Sequence, residues 1–328
     1  PQQWRQTPLV DGGQEGRMIP VPASLAEFEA RFASESACIE YLRDRRWGGH
    51  FQCPRCGEGR AWQLRTRPLD QCIGCGHQVS LTAGTVFHGT RKPLRLWFRV
   101  IAEMLFSKGG CSALEISRRF GLRYATAWTW LHKLRSAMDR SFGAPLEGLI
   151  ELDETYLGGK APGERRGRSP GGKSVVVGAA ECRGKHIGRI RLRAIRSASA
   201  VELASFALTS IVVGSTLKTD GWRGYSGIGG KDYSHRPTVV GNPKNASRLF
   251  PRIHRVFGLL DRWILGTLQG AVSRKHLQRY LDEFMFRFNR RNSVNRLFLF
   301  DRLLSGALRR PPLTYRRLIG KPQAVVAA

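Results

Sequence analysis

Two carboxylates lie where apolar strands are predicted. Asp153 falls within the apolar run LIELDETYLG, and Asp220 ends a second run, STLKTD, directly before Gly221. Carboxylates seldom occupy core strands unless they are paired or hold a metal. If the two strands are neighbours, both side chains reach one spot, where oxygen ligands suit Mg²⁺ and paired ions can promote phosphoryl transfer. The alternative is that the two aspartates cap turns or pair with arginine.

Four of the seven cysteines form two C-x2-C pairs that are separated by fifteen residues. Glycine follows each pair, so a tight turn can direct two thiolates at one ion, and four thiolates complete the tetrahedron that structural Zn²⁺ prefers. Two disulfides or four buried thiols are the alternatives, and His50 and His77 flank the pairs as substitute ligands. The predicted zinc ligands are Cys53, Cys56, Cys72 and Cys75.

Composition restricts the class of protein and its partners. The 328 residues are 41% hydrophobic, which excludes global disorder. Their net charge of +29 predicts a polyanionic partner. Double-stranded DNA is favoured over acidic membranes because the basic residues are scattered rather than gathered on one amphipathic anchor. No apolar run approaches the roughly 18 residues that cross a bilayer. A soluble intracellular protein is expected.

The predicted elements indicate an α/β fold with a mixed RNase H-like sheet and flanking helices. After residue 148 come three strands, a helix, a strand, a fifth strand at RPTVV and closing helices, which is the order of that fold. A zinc ribbon and a helical region precede it. The predicted divisions are 1–22, a disordered tail with Met18 as a candidate natural start; 23–92, helices and ribbon; 93–145, a helix-turn-helix-like region; 146–308, the RNase H-like domain; and 309–328, a C-terminal tail.

Two basic regions are predicted to contact DNA. The segment RYATAWTWLHKLRSAM follows a turn at Gly121 and resembles the second helix of a helix-turn-helix, although a helical hairpin packed on the core is the alternative. The glycine-rich loop 158–173 and the segment YLDEFMFRFNRR supply predicted phosphate contacts. The predicted DNA-binding residues are Arg123, Tyr124, Thr126, Lys133, Arg135, Lys160, Arg165, Arg166, Arg168, Lys173, Arg287, Arg290 and Arg291.

Several of these segments resemble one family. CPRCG, CIGCG, GLIELDETYLGGK, LKTDGWRGY and HLQRYLDEFMFRFNRR are similar to the insertion-sequence transposases that join an N-terminal zinc ribbon to an RNase H-like DDE domain, over about residues 20–308. The resemblance implies a polynucleotidyl transferase that uses Mg²⁺ or Mn²⁺ to cleave the element's ends and joins the freed 3′-hydroxyls to target DNA. It implies that Asp153 and Asp220 are the first two catalytic, metal-binding residues. Because such enzymes hold two DNA ends, a homo-oligomer is expected.

The third catalytic position departs from the family's usual glutamate. Counting back about seven residues from Leu259-Leu260-Asp261, where relatives have a leucine-leucine-lysine step, reaches His254, so the chain resembles a DDH variant. Imidazole can bind a metal or position water, but Mg²⁺ favours oxygen, so weaker binding at one metal site or a preference for Mn²⁺ is predicted. A histidine that contacts phosphate or packs within its helix is the alternative. Asp261 is assigned no role.

Other acids and other functions stay open. Strand alternation places Glu151 on the face of Asp153 and Glu154 on the opposite face. Glu283 is a further candidate acid, although a salt bridge to Arg287 one helical turn later explains it more simply. The alternatives to a transposase are a DNA-binding regulator or inactive remnant without efficient catalysis, and a nuclease without strand transfer.

Overall fold

The chain divides into two compact units. A computed structural model describes residues 24–48, 50–64, 69–139, 143–158, 173–230, 232–241, 245–293 and 297–320. One unit comprises Pro1–Ala137 with Val294–Lys321, and the other comprises Met138–Ser293 with Pro322–Ala328. The predicted tail at residues 1–22 lies outside the described residues.

The first unit joins a small ribbon to a helical core. Its helices are α1 (Leu25–Arg31), α2 (Glu35–Trp47), α3 (Leu94–Phe106), α4 (Ala113–Phe120), α5 (Tyr124–Ala137), α10 (Leu297–Arg309) and α11 (Tyr315–Ile319). Its antiparallel strands are β1 (Ala61–Gln63), β2 (Leu69–Cys72) and β3 (Gln78–Ser80). Serine side chains accept main-chain N–H bonds at the starts of α2 and α4, through Ser34 and Ser112, as N-caps do. The indole rings of Trp97 and Trp130 stack 3.6 Å apart in the core.

Helix α10 belongs to this first unit, which corrects the predicted limit of the RNase H-like domain at residue 308. The ring of Phe300 meets that of Phe98 on α3 at 5.2 Å, edge to face, and Ala307 O accepts a hydrogen bond from Val86 N at 3.1 Å. The apolar face of α10 is therefore buried in the helical core of the first unit. Residues 315–319 form α11 within the segment predicted as a tail.

The second unit contains a mixed five-stranded sheet. Its strands are β4 (Leu149–Leu157), β5 (Ser174–Arg183), β6 (His186–Ile195), β7 (Thr216–Thr219) and β8 (Ser234–Pro237), in the order β6-β5-β4-β7-β8. Strands β4 to β6 form the predicted antiparallel meander, whereas β7 runs parallel to β4 and β8 parallel to β7. The predicted RNase H-like α/β fold is confirmed, although β8 begins two residues before the predicted segment RPTVV.

Helices cover both faces of this sheet. They are α6 (Ala200–Ser210), α7 (Ala246–Leu249), α8 (Pro251–Leu268) and α9 (Leu277–Phe288). Leu203 and Phe206 of α6 pack in the core that contains Leu152, whereas α8 and α9 pack in the opposite core, which contains Val176. Helix α8 buries its apolar residues at helical spacing, namely Ile253, Val256, Phe257, Leu260 and Ile264.

Candidate active site

Asp153 lies in the middle of β4, and Asp220 directly follows the neighbouring parallel strand β7. The register pairs Glu151 with Lys218, and Asp153 and Asp220 each follow two residues later in the same chain direction. Because side chains alternate along a strand, Leu152 enters the core under α6 and Asp153 faces α8. Both aspartates line a cavity of about 600 Å³. The arrangement brings two carboxylates of the sheet to one opening.

The turn after β7 holds the carboxylate of Asp220. Its Oδ1 accepts a hydrogen bond from Trp222 N at 2.9 Å, and Gly221 between them adopts a φ of 78°. This left-handed conformation favours glycine. In the same way Asp153 Oδ1 accepts a hydrogen bond from Glu154 N at 2.8 Å. Each carboxylate is thus oriented by the main chain that follows it.

His254 reaches Asp153 from the first turn of α8. Its Nε2 lies 3.3 Å from Asp153 Oδ2, and its side chain lines the same cavity. Contact with the Asp153 carboxylate raises the pKa of His254 above its ordinary value, although burial opposes the effect. Residues from β4, the end of β7 and α8 therefore converge on one site.

The two glutamates next to Asp153 have different partners. Glu151 is 1% exposed, and its Oε1 accepts a hydrogen bond from Arg252 Nη1 at 2.8 Å, which raises the pKa of Arg252. Glu154 lines the cavity, and its Oε2 accepts a hydrogen bond from Tyr225 Oη at 2.7 Å. Burial, together with the Glu154 carboxylate, raises the pKa of Tyr225 well above its ordinary value. The Tyr225 hydroxyl therefore stays protonated over the physiological pH range and is the donor in this hydrogen bond.

The cavity also contains residues that the sequence did not indicate. Arg223 is exposed and lines the cavity beside Trp222, and buried Phe250 lines it next to α8. Arg223 follows Asp220 by three residues, and its cationic side chain in a DNA-binding chain is the signal that could have identified it. Glu283 is completely buried in α9, and neither it nor the exposed Asp261 lines the cavity.

The donor set at this cavity is compatible with a divalent metal ion. The carboxylates of Asp153 on β4 and of Asp220 just after β7 supply the hard oxygen donors that Mg²⁺ and Mn²⁺ prefer. The ligand atoms of Asp153, Asp220 and His254 are not all within 4.8 Å of one another, a spacing that only the four ribbon cysteines meet among the described residues. His254 contacts Asp153 directly and is a third ligand only if its Nε2 turns to the ion.

The four ribbon cysteines form a second candidate metal site. Their sulfurs all lie within 4.8 Å of one another, with Cys53 Sγ 3.6 Å from Cys75 Sγ and Cys56 Sγ 3.5 Å from Cys72 Sγ. A tetrahedron with Zn–S bonds of about 2.3 Å has edges of about 3.8 Å. The geometry fits one structural zinc ion that is held by four thiolates.

The two cysteine pairs are built alike. Cys53 O accepts a hydrogen bond from Gly57 N at 2.9 Å, and Cys72 O accepts one from Gly76 N at 3.0 Å. Both glycines have positive φ, 79° and 70°, so each turn brings its two thiolates to the same point. The four cysteines account for a complete ligand set without His50 or His77.

The predicted DNA contacts on α5 differ in accessibility. Arg123 and Tyr124 are exposed at the start of the helix and Thr126 is half-buried. The prediction for Arg135 is wrong, because its side chain is only 2% exposed and phosphate cannot reach it. Lys133 is half-buried, and its Nζ lies 5.8 Å from the centroid of the Trp97 ring. The N-terminal part of α5 is thus the accessible part of the predicted surface.

The predicted phosphate contacts of the second unit are only partly described. Lys160, Arg165, Arg166 and Arg168 lie outside the described residues.

Three other predicted contacts of this unit lie near the end of α9. Arg287 is half-buried. Arg290 Nη1 donates a hydrogen bond to Phe286 O at 3.2 Å, and Arg291 Nη1 donates one to Phe288 O at 2.9 Å. The guanidinium groups of Arg290 and Arg291 therefore contribute to the packing of the helix end. Lys173, at the start of the neighbouring strand region, is half-buried and accepts a hydrogen bond from Arg274 through its main-chain oxygen.

Comparisons with known proteins identify both domains. Residues 145–289 match the model of the ISXO2-like transposase domain, and residues 33–78 match the transposase zinc-ribbon domain. A comparison with curated proteins found no match. Among the described residues, none of the helices is long and apolar enough to cross a membrane. By its two matched domains the chain belongs to the insertion-sequence transposases that join a zinc ribbon to an RNase H-like domain.

Proposed function

We propose that the chain cleaves DNA at the ends of an insertion sequence and joins the freed 3′-hydroxyls to target DNA. The observation that supports this proposal is the convergence of Asp153, Asp220 and His254 on one cavity. A small acidic cluster in a chain of net charge +29 indicates a metal-dependent site for DNA. The basic residues of the chain attract the DNA backbone, whereas the carboxylates repel bare phosphate. A phosphodiester then binds productively only when a metal ion lies between its phosphate oxygens and the carboxylates.

In this proposal the protein acts mainly by positioning. Mg²⁺ or Mn²⁺ held by Asp153 and Asp220 would supply Lewis-acid stabilisation of the scissile phosphate and its attacking and leaving oxygens. The imidazole of His254 lies against the Asp153 carboxylate, with Nε2 3.3 Å from Oδ2, and is available to orient this carboxylate or to bind the ion. Arg223 at the cavity contacts the DNA backbone. Water in the first reaction and a DNA 3′-hydroxyl in the second attack phosphorus in line with the leaving oxygen, so one site serves both.

The remaining domains recognise DNA in this proposal. The zinc ribbon and the exposed start of α5 bind the element's ends, and the predicted phosphate contacts of the second unit hold the backbone of end and target DNA. A homo-oligomer brings two ends together. The protein works in the cytoplasm of a bacterial or archaeal cell, at the nucleoid.

The test uses the full chain, Mg²⁺ or Mn²⁺, and labelled duplexes taken from the DNA that flanks the coding sequence. Wild-type protein is expected to cleave and then join, and Asp153→Asn to lower cleavage at least about 100-fold, because the charge that holds the metal is lost. DNA binding by Asp153→Asn is expected to match wild type. Asp261→Asn, an exposed carboxylate change on the same unit, is the control and should cleave normally. Full activity of Asp153→Asn would exclude the assigned site.

A second candidate function is a DNA-binding regulator without efficient catalysis. It is favoured by one observation: both oxygens of Asp153 already have neighbours, Glu154 N at 2.8 Å and His254 Nε2 at 3.3 Å. A metal ion has to compete with the imidazole for this carboxylate. Salt-sensitive DNA binding without cleavage in either metal would support this function, whereas cleavage without joining would support a nuclease.

A further inference from the structure

Two charged residues of the sheet form hydrogen bonds at the start of the helix that carries His254. Glu151 precedes Asp153 by two residues, and Lys218 precedes Asp220 by two. Since side chains alternate along a strand, each shares the sheet face of its aspartate. Glu151 and Lys218 are also direct partners in the register between β4 and β7. The four residues therefore form two adjacent rows on the face that α8 covers.

Glu151 binds the first turn of α8 through the main chain. Its Oε2 accepts hydrogen bonds from Arg252 N at 2.8 Å and Ile253 N at 3.0 Å. N–H groups in the first turn of a helix have no partner within the helix, and the positive end of the helix dipole favours a carboxylate there. Because Glu151 is 1% exposed, water does not compete for these bonds. The carboxylate fixes the height and rotation of the turn above β4.

Lys218 binds the residues just before this turn. Its Nζ donates a hydrogen bond to Leu249 O at 2.8 Å and lies 5.2 Å from the centroid of the Phe250 ring. Phe250 O in turn accepts a hydrogen bond from His254 N at 3.2 Å. A short chain of contacts thus leads from β7 to the main chain of His254.

We propose that Glu151 and Lys218 are a positioning pair that sets His254 against Asp153 and Asp220. The inference rests on the proposed function, because it assigns these residues a part in that same site. Both act through main-chain atoms of the segment 249–253 and neither lines the cavity. The pair links the two aspartate strands to the third position, in addition to the contact between His254 and Asp153.

The experiment replaces Lys218 in the full-length protein and measures amide hydrogen exchange. Lys218→Met removes the ammonium group but keeps the alkyl chain beside Phe250, and Lys218→Arg is the conservative variant. Arg236→Met is the matched control. Arg236 is exposed and is the register partner of Lys218 on the neighbouring strand β8. Lys218→Met is expected to accelerate exchange about tenfold in peptides from residues 246–258 and to leave those of β5 and α9 unchanged. Lys218→Arg should restore most of the protection.

Two further readouts separate positioning from general stability. Lys218→Met should lower kcat for cleavage with little change in KM for DNA, and Glu151→Gln should change exchange in the same peptides. Unchanged exchange in Lys218→Met, the same effect in Arg236→Met, or acceleration spread over the whole unit would overturn the inference. If wild-type protein fails to cleave in either metal while residues 246–258 respond as expected, the positioning pair is supported and the proposed function is overturned.

Discussion

The contact between His254 and Asp153 defines the chemistry open to the third site residue. At 3.3 Å from Asp153 Oδ2, the imidazole can act as a donor that orients the carboxylate. With Nε2 deprotonated and turned to the cavity, the same ring can bind a metal ion as a nitrogen ligand. The two roles differ in what a carboxylate at this position would do: it would repel Asp153 in the first case and add a hard oxygen ligand in the second.

If His254 is a metal ligand, His254→Glu is expected to retain or raise Mg²⁺-supported cleavage, because glutamate supplies the oxygen donor that Mg²⁺ prefers. Its ratio of Mn²⁺ to Mg²⁺ activity should fall relative to wild type. Cleavage rates over a titration of each metal provide the measurement, and His254→Ala, which offers no ligand, should be weaker in both metals. If the Glu and Ala variants lose activity equally and without metal dependence, His254 has another role than metal binding.

At the residue scale the sequence indicated part of the site. It identified Asp153 and Asp220 because carboxylates in apolar strands are unusual, and it placed Glu151 on the correct face by strand alternation. It did not reveal that Glu151 binds the start of a helix 101 residues later, because alternation gives a direction and not a partner. Arg135 shows the same limit: helical spacing gave its place on α5, but its burial depends on tertiary packing.

At the scale of elements, Gly178 permits α8 to approach the sheet next to Asp153, its register partner on β4. A β-carbon there would lie 2.7 Å from Phe257 Cε1 and 2.9 Å from Ile253 Cδ1. We therefore expect Gly178→Ala to push α8 outward, to lower the free energy of unfolding by about 1–3 kcal/mol, and to reduce cleavage because His254 moves with the helix. Chemical denaturation and the cleavage assay measure the two effects.

The matched control for this change is Gly258→Ala within α8. A β-carbon at Gly258 meets nothing within 4 Å, so alanine should raise stability by up to about 1 kcal/mol through its higher helix propensity. Equal stability changes in the two variants would contradict the packing argument for Gly178.

The sequence predicted the elements of the sheet better than their assignment to units. The meander β4 to β6 was predicted from three apolar or alternating runs, because such runs are typical of strands. The edge strand β8 has four residues, which is too short for alternation to fix its ends. Helix α10 was assigned to the wrong unit because its apolar stripe predicts a buried face without saying which core covers it. Phe300 packs on aromatic residues far earlier in the chain, and chain order does not reveal such a contact.

At the scale of the whole molecule, zinc removal is expected to unfold the ribbon selectively. Three short strands supply little core, whereas structural zinc contributes folding free energy directly. A zinc chelator, or Cys56→Ser, should abolish amide protection in residues 50–80, weaken DNA binding and leave exchange in β4 to β6 unchanged. Cys182 is a thiol outside the ribbon, so the Cys182→Ser variant should keep the zinc ion of the ribbon. Hydrogen exchange with a zinc assay tests this, and a zinc-free protein with full ribbon protection would refute the structural role.

The net charge of +29 predicts that DNA binding weakens steeply with salt. Each phosphate that the protein neutralises contributes about −0.9 to the slope of log K against log salt concentration. Arg123→Ala removes an exposed cation at the start of α5, so we expect weaker binding to all sequences and a slope that is smaller in magnitude by about 1. Fluorescence anisotropy of a labelled duplex over a salt series measures both quantities.

Arg119→Ala is the matched control for Arg123, because Arg119 on the preceding helix is already paired with Glu103 and Glu115. Its charge is largely neutralised by these carboxylates, so its removal should leave the salt slope near that of wild type. If Arg119→Ala and Arg123→Ala change the slope equally, the basic surface acts through its total charge. If only Arg123→Ala does so, the start of α5 contacts the phosphates directly, as a DNA-reading helix requires.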